Sequence, residues 1–155
     1  MTITPLHPGQ LKVLRVRALA VAAALFVAVL IGDLSWLRRT VLPFGTASGA
    51  AAILLLTWAL IIPRRRYRSW GYDMAEDELH IQHGLWTRTR TIVPFGSVQH
   101  IDVAQGPLER RFGVSRLILH TAGTRSSAVE LPGLEFQEAG RMRDAIRSKI
   151  RQDLM

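Results

Sequence analysis

The chain has 155 residues, of which 48% are hydrophobic, yet its 20 Lys and Arg against 12 Asp and Glu give a net charge of +8. The first 63 residues hold five of the basic side chains and one acid, whereas residues 64–155 hold 15 basic and 11 acidic side chains. An apolar first part is therefore followed by a polar second part. The absence of cysteine excludes a disulfide scaffold, a thiolate metal site and a cysteine nucleophile.

Two uncharged runs in the first part are typical of membrane spans. The first run, Ala18–Gly32, has 15 residues, and the second, Thr40–Pro63, has 24. A helix needs about 20 apolar residues to cross the hydrocarbon core of a bilayer. The second run meets this length, and the first meets it when flanking residues are included. We therefore predict a hairpin over residues 14–63, with transmembrane helices at Leu14–Trp36 and Pro43–Ile62.

Two other interpretations of these runs fit less well. A cleaved signal peptide would need a small-x-small site after the apolar core, and Ile31-Gly32-Asp33-Leu34 does not provide one. A soluble helix pair would need a polar face, which the second run lacks. Small residues at four-residue spacing favour close packing of the two spans against each other, with contact between chains as the alternative. These residues are Ala20, Ala24 and Ala28 on the first span, and Gly45, Gly49, Ser48 and Ala52 on the second.

The Lys and Arg residues around the spans predict the orientation in the membrane. Three lie before or at the start of the first span, four follow the second span directly, and two lie in the connecting loop. The positive-inside rule then places both termini in the cytoplasm. The predicted parts are a cytoplasmic N-terminal segment over residues 1–13, the hairpin over residues 14–63, and a cytoplasmic domain over residues 64–155.

Beyond the second span, alternating hydrophobicity interrupted by turns predicts a mainly-β or α+β domain. The predicted strands are Tyr67–Met74, Leu79–Gln82, Trp86–Val93, Val98–Ala104, Val114–Thr121 and Ser127–Leu131. A short helical turn is expected within Gln105–Gly113, and the helical period of Glu135–Asp153 predicts one amphipathic helix. This pattern is typical of a curled antiparallel sheet or small barrel closed by a C-terminal helix.

The order and spacing of several short motifs resemble a known family. They are Pro63-Arg64-Arg65-Arg66-Tyr67, then Leu79-His80-Ile81-Gln82-His83-Gly84-Leu85, Ile92-Val93-Pro94, Val98-Gln99-His100-Ile101, Gln105-Gly106-Pro107-Leu108-Glu109-Arg110-Arg111-Phe112-Gly113 and Thr121-Ala122-Gly123. The chain resembles the small bacterial pleckstrin-homology (PH) membrane proteins of the YdbS-like type over nearly its whole length. The resemblance implies a PH-like domain facing the cytoplasm of a bacterium. It also implies association with larger membrane proteins that repeat this module, and it carries no catalytic residues.

Two basic clusters are the candidate contact sites for lipid or a partner. One is the run Arg64, Arg65, Arg66 and Arg68, which leaves the second span directly. Each cation near an anionic leaflet contributes about 1 kcal/mol of attraction, although the same run also serves as a topology anchor. The other is the pair Arg110 and Arg111 before Gly113, for which a solvated turn is the alternative. Nucleic-acid binding is not expected, because the aromatic side chains nearby form no stacking pattern.

No enzyme, metal or cofactor site is expected from the remaining polar residues. His80 and His83 lie three residues apart on a predicted strand and so point to opposite faces, which is poor geometry for zinc. A cross-strand zinc site among the four histidines of residues 64–155 is left open as the alternative; they are His80, His83, His100 and His120. The turn Glu76–Glu78 clusters three carboxylates without the burial that a general acid and base would need.

The predicted function is a non-enzymatic, membrane-anchored PH-like module that mediates protein assembly at the inner face of the bacterial cytoplasmic membrane. A sensor of anionic lipid headgroups is the alternative. The expected partners are the lipid bilayer and a larger membrane protein with repeated PH-like modules, and a homo-oligomer is left open. Binding of inositol phosphates is not expected, because Glu76–Glu78 occupies the turn where eukaryotic PH domains gather basic residues, and only Arg88 and Arg90 lie nearby to compensate.

Overall fold

The computed structural model describes residues 3–35, 45–122 and 128–153. The chain divides into two compact units. One unit, Leu14–Arg65, is called the hairpin below. The other combines Met1–Val13 with Arg66–Met155 and is called the module. The module is therefore built from two stretches of chain that lie on either side of the hairpin in the sequence.

Two long helices account for the predicted transmembrane spans. Helix α1 covers Pro8–Ser35 and helix α2 covers Thr46–Arg68. Both are long and apolar enough to cross a membrane. Their exposed side chains are largely aliphatic, as lipid-facing surfaces require, and Leu54 for example is 71% exposed. The prediction of two transmembrane helices is confirmed, while the predicted boundaries at Trp36 and Pro43 lie outside the described residues.

The second helix does not end where the sequence predicted. Pro63 lies inside α2, which continues to Arg68. Proline removes one intrahelical hydrogen bond, and a helix can carry that loss when its other backbone bonds continue. The end of the apolar run and the end of the helix are therefore different positions, separated by a turn of arginines.

Small residues do bring the two helices of the hairpin together, although not all of the predicted ones do so. Ala18, Ala22 and Ala59 are buried in one cluster with Leu55 packed against it. The predicted alanines of α1, two positions further along, are exposed instead. Because this part of α1 is rich in alanine on several faces, the four-residue spacing alone cannot identify the face in contact.

The single acid of the hairpin, Asp33, caps the N-terminus of α2. Asp33 is 1% exposed, and its Oδ2 accepts a hydrogen bond of 3.1 Å from the backbone N–H of Ser48. The first N–H groups of a helix have no intrahelical acceptor, and a carboxylate there also interacts favourably with the helix dipole. Asp33 therefore performs for α2 the role that an N-cap residue usually performs from within the helix itself.

The module contains two antiparallel sheets and a C-terminal helix. The four-stranded sheet has the order β1 (Thr4–Pro5), β2 (Gly71–Met74), β3 (Glu78–His83) and β4 (Thr89–Pro94). The three-stranded sheet has the order β5 (Val98–Ala104), β6 (Val114–Thr121) and β7 (Ala128–Glu135). A short helix α3 (Pro107–Arg111) joins β5 to β6, and α4 (Phe136–Asp153) follows β7. The predicted fold class is confirmed.

One core fills the module between the sheets and α4. Alternate residues of β3 and β6, namely Leu79, Ile81, Leu117 and Leu119, are buried in it. Helix α4 contributes Ala139, Met142 and Ile146, whereas its first residue, Phe136, is exposed. The helical period predicted for this segment is thus correct from its second turn onwards.

Replacement of Ile146 by Ala is expected to lower the free energy of unfolding by about 2 to 5 kcal/mol, because the side chain is fully buried. Urea unfolding of the full chain in detergent, followed by fluorescence, measures this change. The exposed Gln137 on the same helix is the control, and its replacement by Ala should change stability by no more than about 0.5 kcal/mol. A loss for Ile146→Ala as small as the control would contradict the packing of α4.

The N-terminal residues are part of the module rather than a separate segment. Thr4 pairs with Tyr72 and Pro5 with Gly71, so β1 forms the edge of the four-stranded sheet, where proline is tolerated. Leu6 is 3% exposed and belongs to the core. The Tyr67 hydroxyl donates a 2.6 Å hydrogen bond to the Leu6 carbonyl. The predicted division into residues 1–13 and 64–155 is therefore revised, because the hairpin is inserted between β1 and β2.

Three strand boundaries also differ from prediction by three or four residues. Residues 67 and 68 belong to α2, and the strand predicted there begins at Gly71. The strand predicted from Trp86 begins at Thr89. The last strand continues through Pro132 to Glu135, with a register shift opposite it in β6. Proline is compatible with this position because β7 is an edge strand.

Candidate functional site

The arginine run after the apolar part of α2 is exposed. Arg64, Arg65, Arg66 and Arg68 occupy the last turns of the helix, and the side chains of all four are open to solvent. Positive charge at a helix C-terminus is favourable because the last carbonyl groups carry partial negative charge. The helix therefore presents four cations as a compact group instead of an extended tail.

The second predicted cluster lies in α3. Arg110 and Arg111 are both exposed, while Glu109 beside them is 3% exposed. The Glu109 carboxylate accepts a 2.6 Å hydrogen bond from the Gly106 N–H and lies 3.6 Å from the Arg116 guanidinium. This buried contact orients α3 so that the two arginines point outwards. Sequence reasoning did not identify this role of Glu109, although an acid at the third position of a short helix is a capping signal.

Sequence reasoning did not predict a groove that lies between strand β5 and helix α4. Its volume is about 350 Å³. Strand β5 lies at one edge of its sheet, pairs on one side with β6, and shifts register between Val98 and His100. The residues that line the groove are Val98, Gln99, His100, Ile101, Arg143, Arg147 and Ile150.

The charge of the groove comes from α4. The Arg143 guanidinium is paired with the carboxylate of its neighbour Asp144, at 2.8 and 2.9 Å. Arg147, one helical turn further, forms no ion pair with any residue that the structure describes, and it is exposed. Ile101 and Ile150 are partly buried and supply an apolar floor. The groove thus combines an edge strand, an apolar floor and an available cation.

The histidines fall into two different environments. His100 and His120 are cross-strand neighbours, and their Nε2 atoms lie 2.8 and 3.2 Å from the two carboxylate oxygens of Asp102. On β3, His80 contacts Glu78 at 2.5 Å, whereas His83 stacks on Trp70 with ring centroids 4.8 Å apart. Within residues 3–35, 45–122 and 128–153, no group of three or more acidic or histidine side chains is arranged to hold a metal ion.

Helix α4 is tied to the four-stranded sheet at both of its ends. The Tyr72 hydroxyl donates a 2.6 Å hydrogen bond to the Glu138 carboxylate, and burial, followed by this carboxylate, raises the pKa of Tyr72 well above its usual range. Near the other end, the Lys149 ammonium donates to the Glu76 carbonyl and lies 4.0 Å from the Asp77 carboxylate. The acidic turn therefore has a cation partner from a distant part of the sequence, which local reasoning did not find.

Comparisons with known proteins agree with this fold. The family model described as "Bacterial PH domain" matches residues 10–150. The chain is 34% identical over 145 residues to the UPF0699 transmembrane protein YdbS of Bacillus subtilis (strain 168), covering 91% of this chain and 88% of that protein. It is 26% identical over 106 residues to the UPF0699 transmembrane protein YdbT of the same organism, covering 67% of this chain and 22% of that protein. No solved structure matches the chain. The chain therefore belongs to the bacterial PH domain family, as a YdbS-like transmembrane member.

Proposed function

We propose that this protein is a non-enzymatic, membrane-anchored module that mediates protein assembly at the inner face of the bacterial cytoplasmic membrane. The observation that carries this proposal is the groove beside the edge strand β5. No catalytic pair is proposed, because these acidic residues hold structural contacts. Glu109 holds α3, and Glu78 contacts His80. Lys149 contacts the Glu76 carbonyl and lies near the Asp77 carboxylate.

The groove suits an extended peptide segment from another protein. An edge strand carries backbone N–H and C=O groups that a second strand can pair with, and such pairing is a common mode of peptide recognition. The apolar floor at Ile101 and Ile150 can accept alternate side chains of that segment. Arg147 favours a segment that carries acidic residues. The proposed ligand is thus an extended acidic segment.

The proposed source of that segment is a larger membrane protein with repeated PH-like modules. The similarity to YdbT covers 22% of that protein, which leaves most of its length for further domains. A partner held in the same membrane needs little intrinsic affinity, because confinement raises its effective concentration. A second copy of this chain is the other occupant that the same geometry would accept.

Site-specific photocrosslinking in cells tests the groove. A photoreactive residue replaces Gln99, which lies on β5 in the groove, and a matched control replaces Ala128, which lies on the opposite edge of the same sheet. We expect the Gln99 position to form a crosslink to a membrane protein with repeated PH-like modules, as identified by mass spectrometry. We expect Arg147→Glu to reduce that product strongly, because an acidic segment would then meet a like charge.

Two results would contradict the assembly role at this site. Crosslinks at Gln99 that are no more abundant than those at Ala128 would show that the groove is unoccupied. A product that persists unchanged in Arg147→Glu would show that charge does not select the partner. A crosslink between two copies of this chain would show that a second copy, and not a larger protein, occupies the groove.

The alternative function is recognition of anionic lipid headgroups, and it is supported by the exposed arginines of α2 and α3. We expect the full chain in detergent to show no saturable binding of a soluble inositol phosphate in titration calorimetry. The carboxylates of Glu76, Asp77 and Glu78 would repel a multiply charged phosphate, and Lys149 already contacts this turn. Micromolar binding that is abolished by Arg88→Ala together with Arg90→Ala would favour the lipid-sensor function.

Both termini are expected on the cytoplasmic side of the inner membrane, because seven flanking Lys and Arg lie on one side of the spans and two on the other. Alkaline phosphatase fused to either terminus should be inactive in a bacterial host, and a fluorescent protein fused there should be bright. A phosphatase inserted into the loop between the spans is the positive control. Activity from a terminal fusion would reverse the proposed orientation and would remove the module from the cytoplasm.

A further inference from the structure

The turn between β3 and β4 exposes an apolar tip. Trp86 is 91% exposed, which is the largest exposed fraction among the large apolar side chains that the structure describes. Even Leu54 on the transmembrane helix α2 is less exposed, at 71%. Leu85 beside Trp86 is also exposed, at 36%. A soluble surface usually keeps a side chain as large as tryptophan at least partly covered. We therefore expect this tip to contact another surface.

The β3–β4 turn that carries this tip is held in a defined shape. At its base, the ring of His83 stacks on Trp70, which packs against the core. In the turn, Gly84 has a φ of +129°, and a Cβ at this position would lie 1.8 Å from the Thr87 carbonyl oxygen. Only glycine allows this close approach of the backbone. The tip is therefore presented by a fixed turn, which lowers the entropy lost when it binds.

Two arginines follow the apolar tip in the sequence, at the start of β4. Arg88 and Arg90 are exposed, and neither forms an ion pair with a residue in the described part of the chain. No Asp or Glu occurs from His83 to Pro94. An amphipathic aromatic ring followed by cations matches the interface of an anionic bilayer, where rings lie at headgroup level and cations meet lipid phosphates.

We propose that the tip formed by Leu85 and Trp86, followed by Arg88 and Arg90, inserts into the headgroup region of an anionic membrane. The transmembrane helices hold the chain at a bilayer, so this contact requires only modest intrinsic affinity. The tip is distinct from the groove at β5, and the two proposals stand independently. Insertion of a hydrophobic tip also differs from binding of a soluble headgroup, which the acidic turn disfavours.

The absence of cysteine allows one reporter to be placed beside the tip while Trp86 stays intact. Thr87→Cys, labelled with an environment-sensitive fluorophore, is introduced into the full chain in nanodiscs of phosphatidylcholine, with or without phosphatidylglycerol. Lipids that carry a spin label near the headgroup serve as the quencher. The control reporter is Gln137→Cys, at an exposed position on α4.

We expect blue-shifted emission and strong quenching at position 87 in discs with phosphatidylglycerol, and neither change at position 137. Trp86→Ser should remove most of the quenching without lowering the unfolding temperature, because the side chain has no packing to lose. Arg88→Gln with Arg90→Gln should remove the dependence on phosphatidylglycerol. The proposal is overturned if position 87 is quenched no more than position 137, or if Trp86→Ser leaves the quenching unchanged. A blue shift without lipid quenching would also overturn it, because the tip would then be buried against protein.

Discussion

Deletion of residues 1–7 is expected to destabilise the module more than any single substitution described above. It removes β1, the buried side chain of Leu6 and the carbonyl that accepts the Tyr67 hydroxyl. Loss of a buried leucine side chain alone costs about 2 to 5 kcal/mol. Since a domain is stable by about 5 to 15 kcal/mol in total, the deletion should remove a large share of its stability. Hydrogen exchange of the full chain in nanodiscs should show lost protection in β2 and β3.

Point substitutions show how much of this effect comes from the buried Leu6 side chain. Leu6→Ala should lower the free energy of unfolding by about 2 to 5 kcal/mol. Thr4→Ala should change it by no more than about 0.5 kcal/mol, because the Thr4 side chain is exposed on the same strand. If the deletion left the exchange of β2 and β3 unchanged, the N-terminal residues would have no structural role in the module.

The same contacts also affect the stability expected for residues 68–155 produced on their own. On sequence alone, the apolar faces of the strands and helix within residues 68–155 suggest that this tail folds without the hairpin. The structure adds Leu6 and β1 to that core, so a tail without them exposes the surface that they cover. A tail preceded by residues 3–13 on a flexible linker should therefore be more stable than the tail alone, which urea unfolding of the two proteins would measure.

Local patterns in the sequence were sufficient for most elements of the fold. The spans follow from apolar length, the strands of the tail from alternation, and α4 from the positions of Ala139, Met142 and Ile146. The N-terminal strand left no such signal. It has two residues, one of them proline, and its partner Tyr72 lies far along the chain beyond the hairpin. Pairing over such a separation is decided by tertiary packing, which a local period does not contain.

Some features of the candidate site could likewise be predicted from local sequence, and others could not. Exposed arginines at the end of α2 and in α3 were predictable, because charge runs and turn residues are local features. The groove was not, since it depends on α4 lying beside β5. The contact of Lys149 with the acidic turn and the cross-strand pair His100 and His120 also depend on tertiary placement and strand register. Residue types alone therefore indicated charge, while register and packing decided which groups meet.

Replacement of Gly133 by Ala is expected to destabilise the module by about 2 to 4 kcal/mol, for two physical reasons. Gly133 has a φ of +75°, which a residue with a Cβ adopts only with strain. Its Cβ would also lie 2.8 Å from the Gln10 Cβ and 3.2 Å from the Leu6 Cβ, closer than packed carbons allow. The backbone N–H of His7 donates a 2.8 Å hydrogen bond to the Gly133 carbonyl, so the N-terminal segment cannot easily move away.

A matched control and a double-mutant cycle identify the cause of that loss. Gly140→Ala lies within α4, and its added Cβ would have no atom within 4 Å apart from its chain neighbours and nearby helix backbone, so it should stabilise the module by about 0.5 to 1 kcal/mol. Gln10→Gly removes the atom nearest to the new methyl group, so Gly133→Ala should destabilise the module less in that background than in the wild-type chain. Urea unfolding of the four variants of the cycle measures the coupling. Effects that simply add would mean that backbone strain at Gly133, and not the close approach of the N-terminal segment, accounts for the loss.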